Sequence, residues 1–297
     1  MTGPLFRGSF PALATPMFDN GDVDEKRFQN FVEWQIDQGS HAVCPVGTTG
    51  ESPTLGHDEH KRVTELCLEV AKGRVPVIAG AGSNSTREAI DFTQHAQKVG
   101  ADAALVVTPY YNKPSQEGLY QHFKAIHDNS DIPIIVYDVP GRSIVNVDVD
   151  TMKRLSELPR IRGVKDATAD LALPVRTRLA CGEDFTLLSG EDATIVPFLS
   201  LGGHGCISVT ANIAPRLCAD LHEAWWAGDF EKVSKINDLL TPLHEVLFIE
   251  SSPGPVKYGM HLLGWGANRL RLPLLTVSEK TEGLVRSAMA HAGLIDG

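Results

Sequence analysis

One recurring pattern constrains the fold of this chain more than any other feature. A short apolar run, a loop of Gly, Pro, Thr or Asn, and an amphipathic stretch follow one another again and again. The apolar runs are Phe10–Thr15, Ala42–Val46, Val75–Ala79, Ala103–Val107, Ile132–Tyr137, Ile161–Lys165, Phe185–Ser189 and Gly205–Val209. They are short and rich in Val and Ile, as strands buried on both faces must be. The stretches between them have helical spacing. In Glu25–Gln38, Phe28, Phe31, Val32 and Ile36 recur every three or four residues, with Asp24 or Asp22 to cap the start and Gly39 to end it. Strands alternating with helices in this way make parallel βα units. Eight such units in roughly 210 residues predict an α/β fold of the closed (β/α)8 TIM-barrel type rather than an open doubly wound sheet. The GAGSNS after the third run has two glycines at dinucleotide-fingerprint spacing but lacks the third, which argues against a Rossmann site.

From Asn212 the strand pattern stops. Pro215–Trp226 and Asp229–Phe248 read as helices, the second with Val233, Ile236, Leu240, Leu243 and Leu247 on one face, and Gly228 breaks between them. Further helical segments lie near Pro255–Leu263 and Ser278–Ala292. The expected organisation is a catalytic barrel over 1–211 and an appended C-terminal α-helical domain over 212–297.

Composition narrows the partners. The net charge of −10 comes with no basic run, which argues against nucleic acid. An anionic substrate must then be met by local positive groups, because the overall field repels it. No apolar run reaches membrane-spanning length, and the N-terminal MTGPLFRGSFPALATP lacks the pattern of a signal peptide. The five cysteines are odd in number and show no CxxC spacing, so neither a disulfide framework nor a zinc site is suggested. A cytoplasmic protein is expected, and the sequon Asn84-Ser85-Thr86 is read as accidental.

In a barrel of this kind the chemistry sits at the C-terminal strand ends. Those ends carry GTTGE (Gly47–Glu51), TPYYNKP (Thr108–Pro114), YDVPGR (Tyr137–Arg142), Lys165, SGED (Ser189–Asp192) and ISVTAN (Ile207–Asn212). A lysine closing a strand is ordinarily a surface residue. Held in a desolvated mouth, it becomes an amine nucleophile toward carbonyls. Gly47-Thr48-Thr49-Gly50 is either a plain turn or a set of N–H groups able to hold a carboxylate. Tyr110 and Tyr111 read as packing aromatics or as proton relays, and Arg142 as a surface ion pair or a bidentate carboxylate binder. His57 and His60 in HDEH mimic metal spacing, but no ligand set at the strand ends supports a metal. What remains is an amine, hydroxyl relays and anion-binding groups, a combination suited to a Schiff-base enzyme acting on a 2-oxo acid.

The motifs PVGTTGESPTLGHDEHKRV, PVIAGAGSN, VVTPYYNKPSQEGLYQHFKAI, GVKDAT, LLSGED, GGHGCISVTAN and LPLLT together resemble the dihydrodipicolinate synthase (4-hydroxy-tetrahydrodipicolinate synthase) family. That family sits within the pyruvate-dependent class I aldolase superfamily, and the resemblance spans nearly the whole chain. It implies condensation of pyruvate with L-aspartate 4-semialdehyde, a step of diaminopimelate and lysine biosynthesis, with no metal or organic cofactor. It assigns the Schiff base to Lys165, the carboxylate site to Thr48 and Thr49, and the proton shuttle to Tyr137, relayed through Thr48 and completed by Tyr111 of a neighbouring subunit. Arg142 would bind the semialdehyde carboxylate, with Gly190 and Ile207 lining the pyruvate site. The same resemblance implies a homotetramer built as a dimer of dimers. It also implies L-lysine feedback through Ser52, His57, His60, Asn84, Glu88 and Tyr110, residues that otherwise read as interface packing and helix capping. Asp138 stands where most members carry Asn, Ala169 where a Gly is usual, and SSPGPVK (Ser251–Lys257) is less typical. The rival readings are a lyase of sugar acids within the same superfamily and a non-catalytic binding barrel.

Overall fold

The computed structural model describes residues 3–296. The elements begin with β1 (Gly8–Pro11), α1 (Glu25–Asp37), α2 (His57–Ala71), β2 (Ile78–Gly80), α3 (Thr86–Val99) and β3 (Ala103–Val107). They continue with α4 (Gln116–Asp128), β4 (Ile134–Asp138), α5 (Pro140–Ser143), α6 (Val149–Ser156), β5 (Ile161–Asp166), α7 (Leu173–Cys181) and β6 (Thr186–Ser189). Last come α8 (Ile195–Ser200), β7 (Gly205–Ser208), α9 (Pro215–Ala227), α10 (Phe230–Val246), α11 (Gly254–Leu262) and α12 (Glu279–His291). The chain forms two compact units, one from Val77–Ile207 with the segment before Gly8, the other from Gly8–Pro76 and the chain from Ser208 onward.

In the first unit β2 to β7 pair in parallel and in chain order, each strand beside the next. Their Val, Ile and Ala side chains are buried, as the near-continuous apolar runs require, except at Val107, which closes β3 half-buried. Gly163 interrupts β5 for a steric reason, since a Cβ there would lie 2.4 Å from the Thr186 carbonyl oxygen. The intervening helices are capped as their sequences suggest. Ser115 and Asp148 accept N–H groups of the first turns of α4 and α6, and Gly100, at φ 95°, ends α3.

In the second unit the segment through β1 runs between two neighbours. Ala12 donates its N–H to Ser208 O at 2.8 Å, and Leu13 donates to Cys44 O at 2.9 Å. The strand expected over Ala42–Val46 contracts to a bridge between Ala12 and Cys44, so among the described residues seven strands form rather than eight. Pro45 has no N–H to give a ladder, and Val46 turns to φ 50°, so pairing cannot continue. Buried Asn212 ties the chain ends together: its Nδ2 donates to Ala12 O and its Oδ1 accepts the Ala14 N–H, both at 2.9 Å.

The helices α9 to α12 follow the predicted pattern to within two residues at each end. Gly228 breaks α9 from α10 at φ 73°, and Asp229 caps α10 through the Lys232 N–H at 3.0 Å. Val233, Ile236, Leu240, Leu243 and Leu247 are all buried, as one apolar face demands. Among the described residues no helix is long and apolar enough to cross a membrane.

Candidate active site

The register of β4 and β5 sets Tyr137 opposite Lys165 and Asp138 opposite Asp166. Side chains opposite one another on neighbouring strands share a face, so Tyr137 and Lys165 emerge together. The Lys165 Nζ lies 4.1 Å from the centroid of the Tyr137 ring. Lys165 is only 6% exposed and Tyr137 7%, which rejects the surface-lysine reading. Beyond β6, a Cβ on Gly190 would lie 2.7 Å from Ala167 Cβ and 3.0 Å from Lys165 Cε. A glycine is therefore what leaves room for the lysine chain. Ile207, on β7, is buried in the same unit.

One residue beyond this pair sit two carboxyls. Asp138 is 2% exposed; its Oδ2 accepts the Val147 N–H at 3.1 Å, while Oδ1 is buried with no hydrogen-bond partner. Burial pushes its pKa up to about 7, with the Asp166 charge adding to the rise and the Val147 N–H opposing it. Asp166 is also raised by burial, although its Oδ1 accepts both the N–H and the hydroxyl of Thr168. The motif GVKDAT contains Asp166, yet only the pairing of β4 with β5 reveals it as the partner of Asp138.

The Asp138–Val147 bond closes a loop that carries α5 and Arg142, whose side chain is exposed. Tyr111 is 91% exposed at φ 72°, while Tyr110 beside it is half-buried. Asn84 holds that tyrosine loop: its Nδ2 donates to Tyr110 O at 3.1 Å and its carbonyl accepts from Asn112 Nδ2 at 2.8 Å. Ser83 Oγ donates to Glu88 Oε2 at 2.8 Å. The first unit thus gathers Lys165, Tyr137 and Gly190 in one place, and Asn84, Glu88 and Tyr110 around another.

The second unit holds the GTTGE turn. The Gly50 and Glu51 N–H groups donate to Gly47 O and Thr48 O, each at 3.1 Å, and Thr15 Oγ1 donates to Gly50 O at 2.8 Å. A Cβ on Gly50 would lie 2.9 Å from Leu13 O. Val46 and Glu51 flank the turn at φ 50° and 59°, a conformation that non-glycine residues adopt only when their surroundings impose it. Thr49 is buried and Thr48 half-buried. Ser52 follows directly, and His57 (exposed) and His60 (buried) lie on the first turn of α2. Lys257 Nζ donates to Glu51 Oε1 at 2.5 Å with both side chains buried. Nothing in the local sequence signals that contact, because the partners are 206 residues apart. Among the described residues no group of three or more His, Cys, Asp or Glu is placed to hold a metal ion.

Parallel βα units, C-terminal helices and an amine buried at a strand end are the features of an enzyme of the (β/α)8-barrel class. The chain belongs to the Dihydrodipicolinate synthetase family, whose sequence pattern matches residues 5–292. The 4-hydroxy-tetrahydrodipicolinate synthase of Bradyrhizobium diazoefficiens is 62% identical over 291 residues, covering 98% of each chain. The chloride-inhibited dihydrodipicolinate synthase of Acinetobacter baumannii, solved in complex with pyruvate, matches with a TM-score of 0.95 at 45% identity over 97% of this chain and 99% of that one. The enzyme of Cyanidioschyzon merolae, solved with lysine bound, matches with a TM-score of 0.95 at 37% identity over 98% and 100% of the two chains. Family membership makes this chain a lyase-type enzyme of diaminopimelate and lysine biosynthesis.

Proposed function

We propose that the chain condenses pyruvate with L-aspartate 4-semialdehyde through a Schiff base on Lys165. The observation that carries this reading is the Lys165 amine, buried 4.1 Å from the Tyr137 ring beside Gly190. The amine attacks the ketone carbon of pyruvate and water leaves, giving an iminium. The iminium draws electrons from the methyl carbon, which loses a proton to become an enamine and then attacks the aldehyde. Tyr137, Thr48 and Tyr111 pass the protons, because hydroxyls that both donate and accept can relay them to and from the reacting atoms. Thr48 and Thr49 hold the pyruvate carboxylate, Gly190 and Ile207 line the pyruvate site, and Arg142 takes the carboxylate of the semialdehyde. No metal or organic cofactor enters this scheme.

The exposure of Tyr111 suits a residue lent to a neighbouring subunit, in a cytoplasmic homotetramer built as a dimer of dimers. The catalytic barrel is assigned to 1–211 and the helical domain to 212–297. L-lysine acts as a feedback inhibitor through Ser52, His57, His60, Asn84, Glu88 and Tyr110, a reading supported by the lysine-bound relative. Pyruvate with borohydride is expected to leave a reduced adduct on Lys165, located by mass spectrometry, and absence of that adduct would refute the Schiff base. Condensation with aspartate semialdehyde, assayed beside cleavage of N-acetylneuraminate, separates the synthase from a sugar-acid lyase. Unchanged kinetics at saturating L-lysine would remove the feedback assignment alone.

A further inference from the structure

The buried pair of Glu51 and Lys257 has no part in the chemistry above, yet it reaches the turn that carries Thr48 and Thr49. Lys257, on α11, donates to Glu51 Oε1 at 2.5 Å. The other oxygen, Oε2, accepts the Arg271 N–H at 2.9 Å. The Arg271 side chain then forks onto Glu59 at 2.6 and 2.8 Å and donates to Thr54 O at 2.7 Å and Gly21 O at 2.9 Å. The backbone of Glu51 is equally engaged. Its N–H closes the turn on Thr48 O at 3.1 Å, and its carbonyl accepts the Thr54 N–H at 3.0 Å and hydroxyl at 3.1 Å.

As a stabiliser a buried ion pair is a poor choice, since apolar side chains of equal size often do as well. Its distinctive effect is directional. Two charge-assisted hydrogen bonds fix one rotamer of Glu51 and hold a non-glycine residue at φ 59°. We propose that Lys257 is a positioning residue for the pyruvate carboxylate: by locking Glu51 it aims the N–H and hydroxyl groups of Thr48 and Thr49. This inference rests on the carboxylate role proposed for those threonines, and it gives α11 a part in substrate binding.

The test titrates pyruvate in borohydride trapping on Lys165, with the KM for aspartate semialdehyde measured at saturating pyruvate. The proteins are wild type, Lys257→Met and the double variant Glu51→Gln/Lys257→Met. Lys257→Met leaves a buried carboxylate without its ammonium, and half-saturating pyruvate is expected to rise about tenfold while the acceptor KM stays within about twofold. The double variant carries no unpaired charge and keeps an acceptor for the Arg271 N–H, so it should fall between the other two, at about threefold. If Lys257→Met does not fold, the double variant decides. A half-saturation within about twofold of wild type in the deciding variant, or an equal rise for both substrates, overturns the inference. Failure of wild type itself to form the adduct removes the Schiff-base reading instead, and the inference with it.

Discussion

Replacing Asp138 by Asn removes a carboxyl that is buried at the end of β4. The Asp138 carboxyl is 2% exposed, one of its oxygens is without a hydrogen-bond partner, and burial places its pKa at about 7. In the unfolded chain an aspartate titrates near ~3.9. Between those two values the unfolded chain has released a proton that the folded chain still holds. Stability therefore falls as pH rises through that window, at about 1.4 kcal/mol per pH unit, and levels off above it. From pH 5 to pH 8 the loss amounts to about 3 kcal/mol. Asn does not titrate, and its side-chain oxygen can still accept the Val147 N–H. Asp166, raised by the same burial, is present in both proteins, and its charge is part of what raises Asp138, so the variant also relieves Asp166 of a neighbouring carboxylate at high pH. Urea denaturation of wild type and Asp138→Asn at pH 5 and pH 8 should show the variant gaining about 3 kcal/mol on wild type between the two. A stability gap that is equal at the two pH values, or that narrows as pH rises, would refute burial as the force acting on this carboxyl.

Three other perturbations have defined outcomes. Gly190→Ala sets a Cβ 2.7 Å from Ala167 Cβ and 3.0 Å from Lys165 Cε, so trapping of pyruvate should slow about tenfold, with about 1–3 kcal/mol of strain in denaturation. His122 is buried, its Nδ1 shares a hydrogen bond with Thr86 Oγ1, and burial pulls its pKa down to about 4. The neutral ring must then be kept while the unfolded chain takes up a proton. Its contribution to stability is full above pH ~6.5 and declines by about 3 kcal/mol as pH falls to 4, a slope that His122→Gln should flatten. Asp24→Ala removes the acceptor of the Arg27 N–H at 3.0 Å and should cost about 1 kcal/mol in chemical denaturation, whereas an unchanged midpoint would deny the cap a role.

Much of the architecture was legible because it depends on local periodicity. The strand over Ala103–Val107 and the α1 cap at Asp24 form where the pattern puts them, since apolar spacing and capping chemistry act over a few residues. Ala42–Val46 misled because its apolar pattern is that of a strand, while Pro45 and the left-handed Val46 belong to a turn. The family motifs named the family to which the chain belongs. Burial could not be read in that way. GVKDAT shows a lysine after β-branched residues, and only the β4–β5 register places its amine against the Tyr137 ring.

The sequence by itself determined the alternation of strand and helix, the helical C-terminal segment and the membership of the Dihydrodipicolinate synthetase family, because each is written in short spacings and short motifs. Tertiary structure alone decided that Asp138 lies opposite Asp166 in a dry site, that Gly190 must lack a side chain beside Lys165, and that Lys257 grips Glu51 from 206 residues away. Desolvation, steric exclusion and long-range charge pairing depend on which residues become neighbours in space, and no local pattern along the chain encodes that.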